Sequence, residues 1–313
     1  MKSLYRSSYR FFKPEQKPET ILALSDIHFD GHSSADMHRA LVFAHKQSPA
    51  LITISGDLLD NLDAISSHTE RENLKTWLEQ LGEIAPVCIC LGNHDFYRKT
   101  PNFRSAINHN GKGYIYASPA PLIAELATLK NIYLLDNESY ENGQNYVFGL
   151  TLPPHLYDRE GNPDSKENQA SFVAEINRVA EKFAKLPKRK TKILLVHSPV
   201  FLKYKAIRKL FDGFDFVFAG HMHNGIVPPL LQEVWRGHSG IVTPSKKFFR
   251  DDNTRLGLYY DHIIGLGAVT TVQAGAKPFG WANGLYPTYV ATIEIGHNIA
   301  DERKPDSKNK YEK

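Results

Sequence analysis

Seven residues, Asp26, His28, Asp57, Asn93, His197, His221 and His223, have side chains of kinds that can bind divalent cations. They lie just after five short apolar runs. Two carboxylates, one amide carbonyl and four imidazoles, with no thiolate, form an oxygen and nitrogen donor set. Such a set suits manganese, iron, zinc or cobalt rather than calcium or an iron–sulfur cluster. Residues two apart in extended chain point the same way. Asp26 with His28, and His221 with His223, can therefore each grip one ion or two adjacent ones. A carboxylate has two oxygens, so one Asp can bridge a pair of ions. Two ions ~3.5–4 Å apart would clamp the attacking and leaving oxygens of a phosphoryl transfer. The densest cluster is Leu91-Gly92-Asn93-His94-Asp95, where an amide, an imidazole and a carboxylate crowd one strand end.

The elements that must position these residues are legible as apolar runs between turn signals. Residues 20–27 read as a strand ending in Asp26 and His28. Ser33 or Ser34 then caps a helix over 35–47, and Pro49 stops it. A strand over 51–55 delivers Asp57. Thr69 is placed to cap an amphipathic helix over 70–81, and Pro86 opens the strand that delivers Asn93 and His94. This β-α-β-α-β order favours parallel strands joined by right-handed crossovers. Residues 97–119 read as a long polar loop, followed by a short helix over 121–129 and strands at 132–135 and 146–152. A second loop, 153–167, precedes a helix over 169–185. Strands at 192–196 and 214–219 then end in His197 and in His221 and His223. Beyond residue 224 only strands at 262–271 and 288–295 stand out. Five strand ends carrying ligand-type residues argue for convergence, because ligands of open α/β sheets bind beyond the carboxyl ends of the strands.

Composition narrows the partners. The chain has 42% hydrophobic, 23% charged and 11% aromatic residues, the profile of a globular protein with a sizeable core. Lys and Arg exceed Asp and Glu by only 38 to 34, too small a surplus to argue for nucleic acid, which is not an expected partner. The two cysteines, Cys88 and Cys90, share one face of an apolar strand and read as core residues of a reducing compartment. No apolar run reaches the ~20 residues that span a bilayer, and no secretory signal is visible, so a cytoplasmic location is expected. Residues 1–19 mix basic and aromatic side chains and read as an N-terminal tail that packs its aromatics on the domain, with a weak contact to a membrane surface as the alternative. A single domain is expected over 20–298, followed by a charged tail over 299–313.

The ordered blocks Asp26-x-His28, Gly56-Asp57, Gly92-Asn93-His94-Asp95, His197 and Gly220-His221-x-His223 resemble the calcineurin-like metallophosphoesterase superfamily. Gly265-Leu266-Gly267 resembles the bacterial phosphohydrolases of that group. The resemblance implies an α/β fold in which a two-sheet β-sandwich is flanked by helices. It implies that Asp26, His28 and His223 hold one metal, that Asn93, His197 and His221 hold another, and that Asp57 bridges them. A hydroxide between the metals would then attack phosphorus in a phosphate ester or pyrophosphate bond, with His94 facing the substrate. An imidazole titrating near neutrality suits that work, and Asp95 fits a carboxylate that fixes an imidazole's tautomer. A phosphorylated small molecule or a lipid-linked phosphate is the expected substrate. A nuclease acting on DNA ends and a non-catalytic metal-binding scaffold are the alternatives. Tyr97, Arg98 and Lys99 follow the Asn93 block directly, and a cation there can meet a phosphate.

Overall fold

Apolar alternation decides how the strands are layered. The structure, a computed structural model, describes residues 4–99, 114–156, 166–186, 190–198, 214–221, 263–265 and 288–296. In chain order the strands and α-helices begin with β1 (Leu4–Phe12), β2 (Glu19–Leu24), α1 (Ala35–Gln47), β3 (Leu51–Ser55), α2 (His68–Ile84) and β4 (Val87–Cys90). Then come β5 (Tyr97–Lys99), β6 (Tyr114–Tyr116), α3 (Ala120–Leu126), β7 (Ile132–Leu134), β8 (Ser139–Glu141) and β9 (Asn145–Leu150). The series closes with α4 (Lys166–Ala184), β10 (Thr191–Val196), β11 (Phe216–Ala219), β12 (Ile263–Gly265) and β13 (Thr288–Gly296).

One mixed sheet runs β1-β13-β2-β3-β4-β7, and a second runs β12-β11-β10-β9-β8. Strands β2, β3, β4 and β7 are mutually parallel, as are β9, β10, β11 and β12. Successive side chains leave opposite faces of a strand, so each strand feeds two cores. Ile21, Ala23, Leu51, Cys88, Cys90, Val147, Ile193, Leu195, Phe216, Phe218 and Ile293 fill the space between the sheets. Their neighbours Leu22, Leu24, Ile52, Ile54, Val87 and Ile89 face α1 and α2. Phe148, Leu150, Leu194 and Val196 face Phe172, Ile176 and Val179 of α4. The expected α/β sandwich flanked by helices is what the chain forms. Cys88 and Cys90 sit in the inter-sheet core, where burial pushes both thiols well above their ordinary range.

Apolar residues at helical spacing explain the outer layers. Met37, Ala40, Leu41 and Ala44 form the buried stripe of α1; Leu74, Trp77, Leu78 and Leu81 form that of α2. The Trp77 indole N–H donates to the Met37 carbonyl at 3.0 Å and ties the two helices together. Ser34 caps α1 by accepting from the Met37 amide, as expected. For α2 the cap is Ser67, not Thr69. Ser67 Oγ accepts from the Glu70 amide at 3.2 Å, and Glu70 accepts from the Ser67 amide at 2.8 Å. This reciprocal pair starts the helix one turn before the residues that bury its apolar face.

Residues 4–12, expected within a tail, form β1, which pairs parallel to β13. The segment that follows crosses beneath the second sheet. Lys13 meets Asp215 at 2.9 Å, Thr191 Oγ1 donates to Gln16 at 2.6 Å, and Gln16 donates to the Gln144 carbonyl at 3.1 Å. These partners lie at or next to the starts of β9, β10 and β11, so the polar clamp closes the end of the sandwich opposite the strand termini that carry the site. Within the expected loop 97–119, β5 and β6 pair antiparallel as a small separate sheet. No helix among the described residues is long and apolar enough to cross a membrane. The expected tail 299–313 lies outside the described residues.

Replacing Ser67 with Ala should cost ~0.5–2 kcal/mol and lower the urea midpoint without changing the slope. Ser67→Asp should recover most of that loss, because a carboxylate also caps and favours the helix N-terminus.

Candidate metal centre

Two strand-end loops are zipped side by side to build the floor of the site. The amides of Asp26, His28 and Phe29 donate to the carbonyls of Gly56, Asp57 and Leu58 at 2.9–3.1 Å, and the Asp60 amide returns to Phe29. Asp26, His28, Asp57 and His221 all have positive φ, between 48° and 66°. Asp and His tolerate this region better than most residues, but it remains uncommon outside glycine. The turns therefore bring the side chains back over the strand ends instead of letting them follow the sheet. His221 is carried into the same space from β11 by its amide, which donates to Asp26 Oδ1 at 3.0 Å.

Close approach at this point requires residues without a Cβ. A Cβ on Gly92 would lie 2.2 Å from Asp57 Oδ1, and one on Gly220 would lie 1.8 Å from Ser25 Oγ and 2.5 Å from Asp26 Oδ2. The strand ends of β4 and β11 thus press their backbones against the two site carboxylates.

Asp57 divides its oxygens. Oδ1 accepts from the His94 amide at 2.9 Å. Oδ2 faces His197 Nε2 at 3.0 Å and His28 Nε2 at 3.7 Å. On the His197 side, Asn93 Oδ1 lies 3.1 Å from His197 Nε2 and 3.0 Å from His221 Nδ1, and those two nitrogens are 3.3 Å apart. Ligands on one ion at bonds of ~2.1 Å stand about 3.0 Å apart when octahedral and about 3.4 Å apart when tetrahedral. The observed spacings fall within that interval. Donor atoms of Asp57, His197 and His221 form one group that fits a cation, and those of His28, Asp57 and His94 form another. Asp26 borders the second group, with Oδ1 4.0 Å from His28 Nε2.

The outer partners fix which nitrogens look inward. His197 Nδ1 lies 2.8 Å from the Ser55 carbonyl, which can only accept, so Nδ1 keeps its proton and, in the neutral ring, Nε2 is the nitrogen that turns a lone pair to the cluster. His94 Nδ1 is 2.7 Å from the Asp60 carbonyl, which leaves Nε2 on the working side. His94 and His221 are partly exposed, whereas Asp26, His28, Asp57, Asn93 and His197 are buried. The opening of the site therefore runs past His94 and His221.

The charges of the cluster shift one another's protonation. Burial raises Asp57's pKa, but the charges of His197, His94 and His28 outweigh burial and hold the carboxyl well below its ordinary range. Burial lowers His197's pKa, but Asp57 more than reverses this and lifts it to about 9. His94 is likewise raised: burial opposes the charge, and Asp57 and Asp60 favour it more strongly.

Asp95 does a different job from the expected one. Its Oδ1 accepts from the Leu59 amide at 2.9 Å and its Oδ2 from the Gly92 amide at 2.8 Å. Instead of fixing an imidazole, this carboxylate staples the loop after β3 to the end of β4. The imidazoles of His197 and His94 find their acceptors in the backbone carbonyls of Ser55 and Asp60, which side-chain spacing cannot reveal. Burial and the neighbouring Asp57 charge push Asp95 up to about 7, against the two amides that favour its anion. Ser25 is an addition to the expected residues. Its hydroxyl lies 2.5 Å from Asp26 Oδ2 and 3.0 Å from the Ser55 carbonyl, and its single proton serves one of them at a time. Its only sequence signal is its place next to Asp26. His223 lies outside the described residues.

A family model described as Calcineurin-like phosphoesterase matches residues 19–225. Among solved structures, TT1561 of Thermus thermophilus is 12% identical, with 65% of this chain and 82% of that chain covered at a TM-score of 0.41. Phosphopantetheinyl Hydrolase (PptH) from Mycobacterium tuberculosis is also 12% identical, with 71% of this chain and 94% of that chain covered at a TM-score of 0.37. No curated protein matches. The family match takes in all five strand ends that carry a candidate ligand, from Asp26 to His223, and the chain belongs to the calcineurin-like phosphoesterase family.

Proposed function

We propose that this protein hydrolyses phosphate ester or pyrophosphate bonds with the help of two divalent cations. The observation that carries the reading is the placement of Asp57 Oδ2 between His28 on one side and His197 on the other, while Oδ1 is already engaged by the His94 amide. One oxygen aimed at two imidazole groups suits a carboxylate that bridges two ions. Asp26, His28 and His223 would hold the first ion, and Asn93, His197 and His221 the second. The donors are oxygen and nitrogen only, which suits manganese, iron, zinc or cobalt. Bound there, such ions supply a water of lowered pKa and Lewis acidity toward phosphoryl oxygens.

The chain's own contribution is orientation and proton management. Hydrolysis breaks a P–O bond, adds the oxygen of water to phosphorus and returns a proton to the leaving oxygen. His94 stands at the opening with Nδ1–H held by the Asp60 carbonyl, so Nε2 is the atom that can carry that proton. The zipped loops, the Asp95 staple and the backbones of Gly92 and Gly220 keep the ligands from relaxing apart.

The test is a manganese-supplemented panel of aryl phosphomonoesters, aryl phosphodiesters, cyclic nucleotides and lipid-linked pyrophosphates. Turnover of at least one class supports the reading. No turnover, with metal bound, would favour a scaffold instead.

Asp57→Asn should weaken metal binding by more than the roughly 10–100-fold that loss of an outer partner costs, and abolish turnover. His94→Ala should keep both metals, measured by elemental analysis, while lowering kcat by roughly 10²–10⁴-fold. Metal uptake should also release protons. His197 is protonated at pH 7 in the metal-free protein, with its pKa at about 9, and a cation takes only the neutral imidazole. Affinity should therefore climb by roughly tenfold per pH unit from 7 to 9 and then level off. Calorimetry in buffers of different ionisation enthalpy would count the proton, and a pH-independent affinity across that range would refute the assignment.

A further inference from the structure

A single hydroxyl stands behind both halves of the centre. Ser25 follows β2, one residue before Asp26, and is fully buried. Its Oγ lies 2.5 Å from Asp26 Oδ2 and 3.0 Å from the Ser55 carbonyl. A third side is closed by the backbone of Gly220, where a Cβ would lie 1.8 Å from the same Oγ. The Gly220 amide donates to the His197 carbonyl at 2.9 Å, which fixes that wall in place. The Ser25 oxygen is thus confined between two acceptors and a strand end.

The hydroxyl brings one proton to two acceptors, and the lengths assign it. Bonds from a hydroxyl to an ionised oxygen run ~2.5–2.7 Å, and the contact with Asp26 Oδ2 is that short. The contact with the Ser55 carbonyl is at the long limit for a hydroxyl donor. That carbonyl already accepts from His197 Nδ1 at 2.8 Å. The proton therefore belongs to Asp26 Oδ2. The other oxygen, Oδ1, accepts from the His221 amide at 3.0 Å and faces His28 Nε2 at 4.0 Å. Asp26 is arranged as Asp57 is, with one oxygen held from behind and the other turned toward an imidazole.

We infer that Ser25 is a positioning residue for one of the two cations and not for the other. By holding Oδ2 it aims Oδ1 at the ion proposed for Asp26, His28 and His223, and it leaves the ion proposed for Asn93, His197 and His221 untouched. The inference rests on the proposed two-cation reading. The outer partners of the two positions differ in kind. His197 is oriented by a main-chain carbonyl that no side-chain substitution removes, whereas Asp26 is oriented by a hydroxyl that one substitution deletes. Without that donor the carboxylate is less firmly ordered in advance, and ordering it on binding costs affinity.

Calorimetric titration of the metal-free protein with manganese alone tests this. The wild-type protein should take up two ions. Loss of an outer partner costs roughly 10–100-fold in metal affinity, so Ser25→Ala should bind one ion roughly 10–100-fold more weakly and the other with unchanged affinity. Ser25→Thr keeps the hydroxyl and should retain both ions. In an Asp26→Asn background, Ser25→Ala should change nothing further, because its effect passes through that carboxylate. Thermal melts of the metal-free variants separate loss of the fold from loss of ligand position. Equal weakening of both ions in Ser25→Ala would overturn the inference. So would a further loss in the Asp26→Asn background, or loss of an ion by a Ser25→Thr protein that melts as the wild type does. Failure of the two readings is separable. Fewer than two ions in the wild-type protein rejects the two-cation centre itself, whereas two ions there, with Ser25→Ala titrating identically, rejects the role of Ser25 alone.

Discussion

The division of labour within one buried carboxylate governs the architecture around it. Asp57 can present Oδ2 to two imidazole groups only because Oδ1 is committed to the His94 amide. That bond exists because the end of β4 passes close enough for Gly92 to lie against the carboxylate. The approach of β4 is in turn fixed by Asp95, whose two oxygens bind the Gly92 and Leu59 amides. A buried ionised carboxylate is costly unless it is paired and hydrogen-bonded. Here His197, His94 and His28, which follow β10, β4 and β2, supply the pairing, and the His94 amide supplies a hydrogen bond.

Much of the site is legible in the sequence because ligands at strand ends leave a local signature: an apolar run, then a donor. Asp26, His28, Asp57, Asn93, His197 and His221 carry that signature, and the structure brings all six together. The two-sheet, helix-flanked α/β fold is legible for the same reason, since buried strands on both faces read as continuous runs. What escapes is what depends on partners distant in sequence. The pairing of β1 with β13 joins the two ends of the chain. The hairpin of β5 and β6 is too short and polar to show a period. Asp95 reads as an imidazole's partner because its neighbours in sequence are His94 and Asn93, while its partners in space are amides. Thr69 reads as the cap of α2 from the sequence, and the reciprocal bonds between Ser67 and Glu70 show that the helix starts earlier.

Positive φ at Asp26, His28, Asp57 and His221 shows where the chain accepts backbone cost. Sparsely populated backbone regions cost of order 1–3 kcal/mol each and persist only where the surroundings over-determine them. The surroundings here do so. β2, β3 and β4 pack on both faces, and the polar clamp from Lys13 to Gln144 holds the far end of the sandwich shut. Candidate ligands turned inward by the backbone would lose less freedom on binding a cation, which raises affinity without adding a contact.

The same rigidity limits how the site can adjust to different substrates. Ligands held by strand ends, staples and close-packed backbones have little room to vary without losing the shared oxygen of Asp57. On the proposed phosphohydrolase reading, selectivity would reside in parts that reach the opening but bear none of the sandwich's load. The β5 and β6 ribbon meets both conditions: it starts directly after the His94 turn, and among the described residues it pairs with neither large sheet. A change at Gly92 or Gly220, by contrast, would drive a Cβ into the candidate site carboxylates themselves.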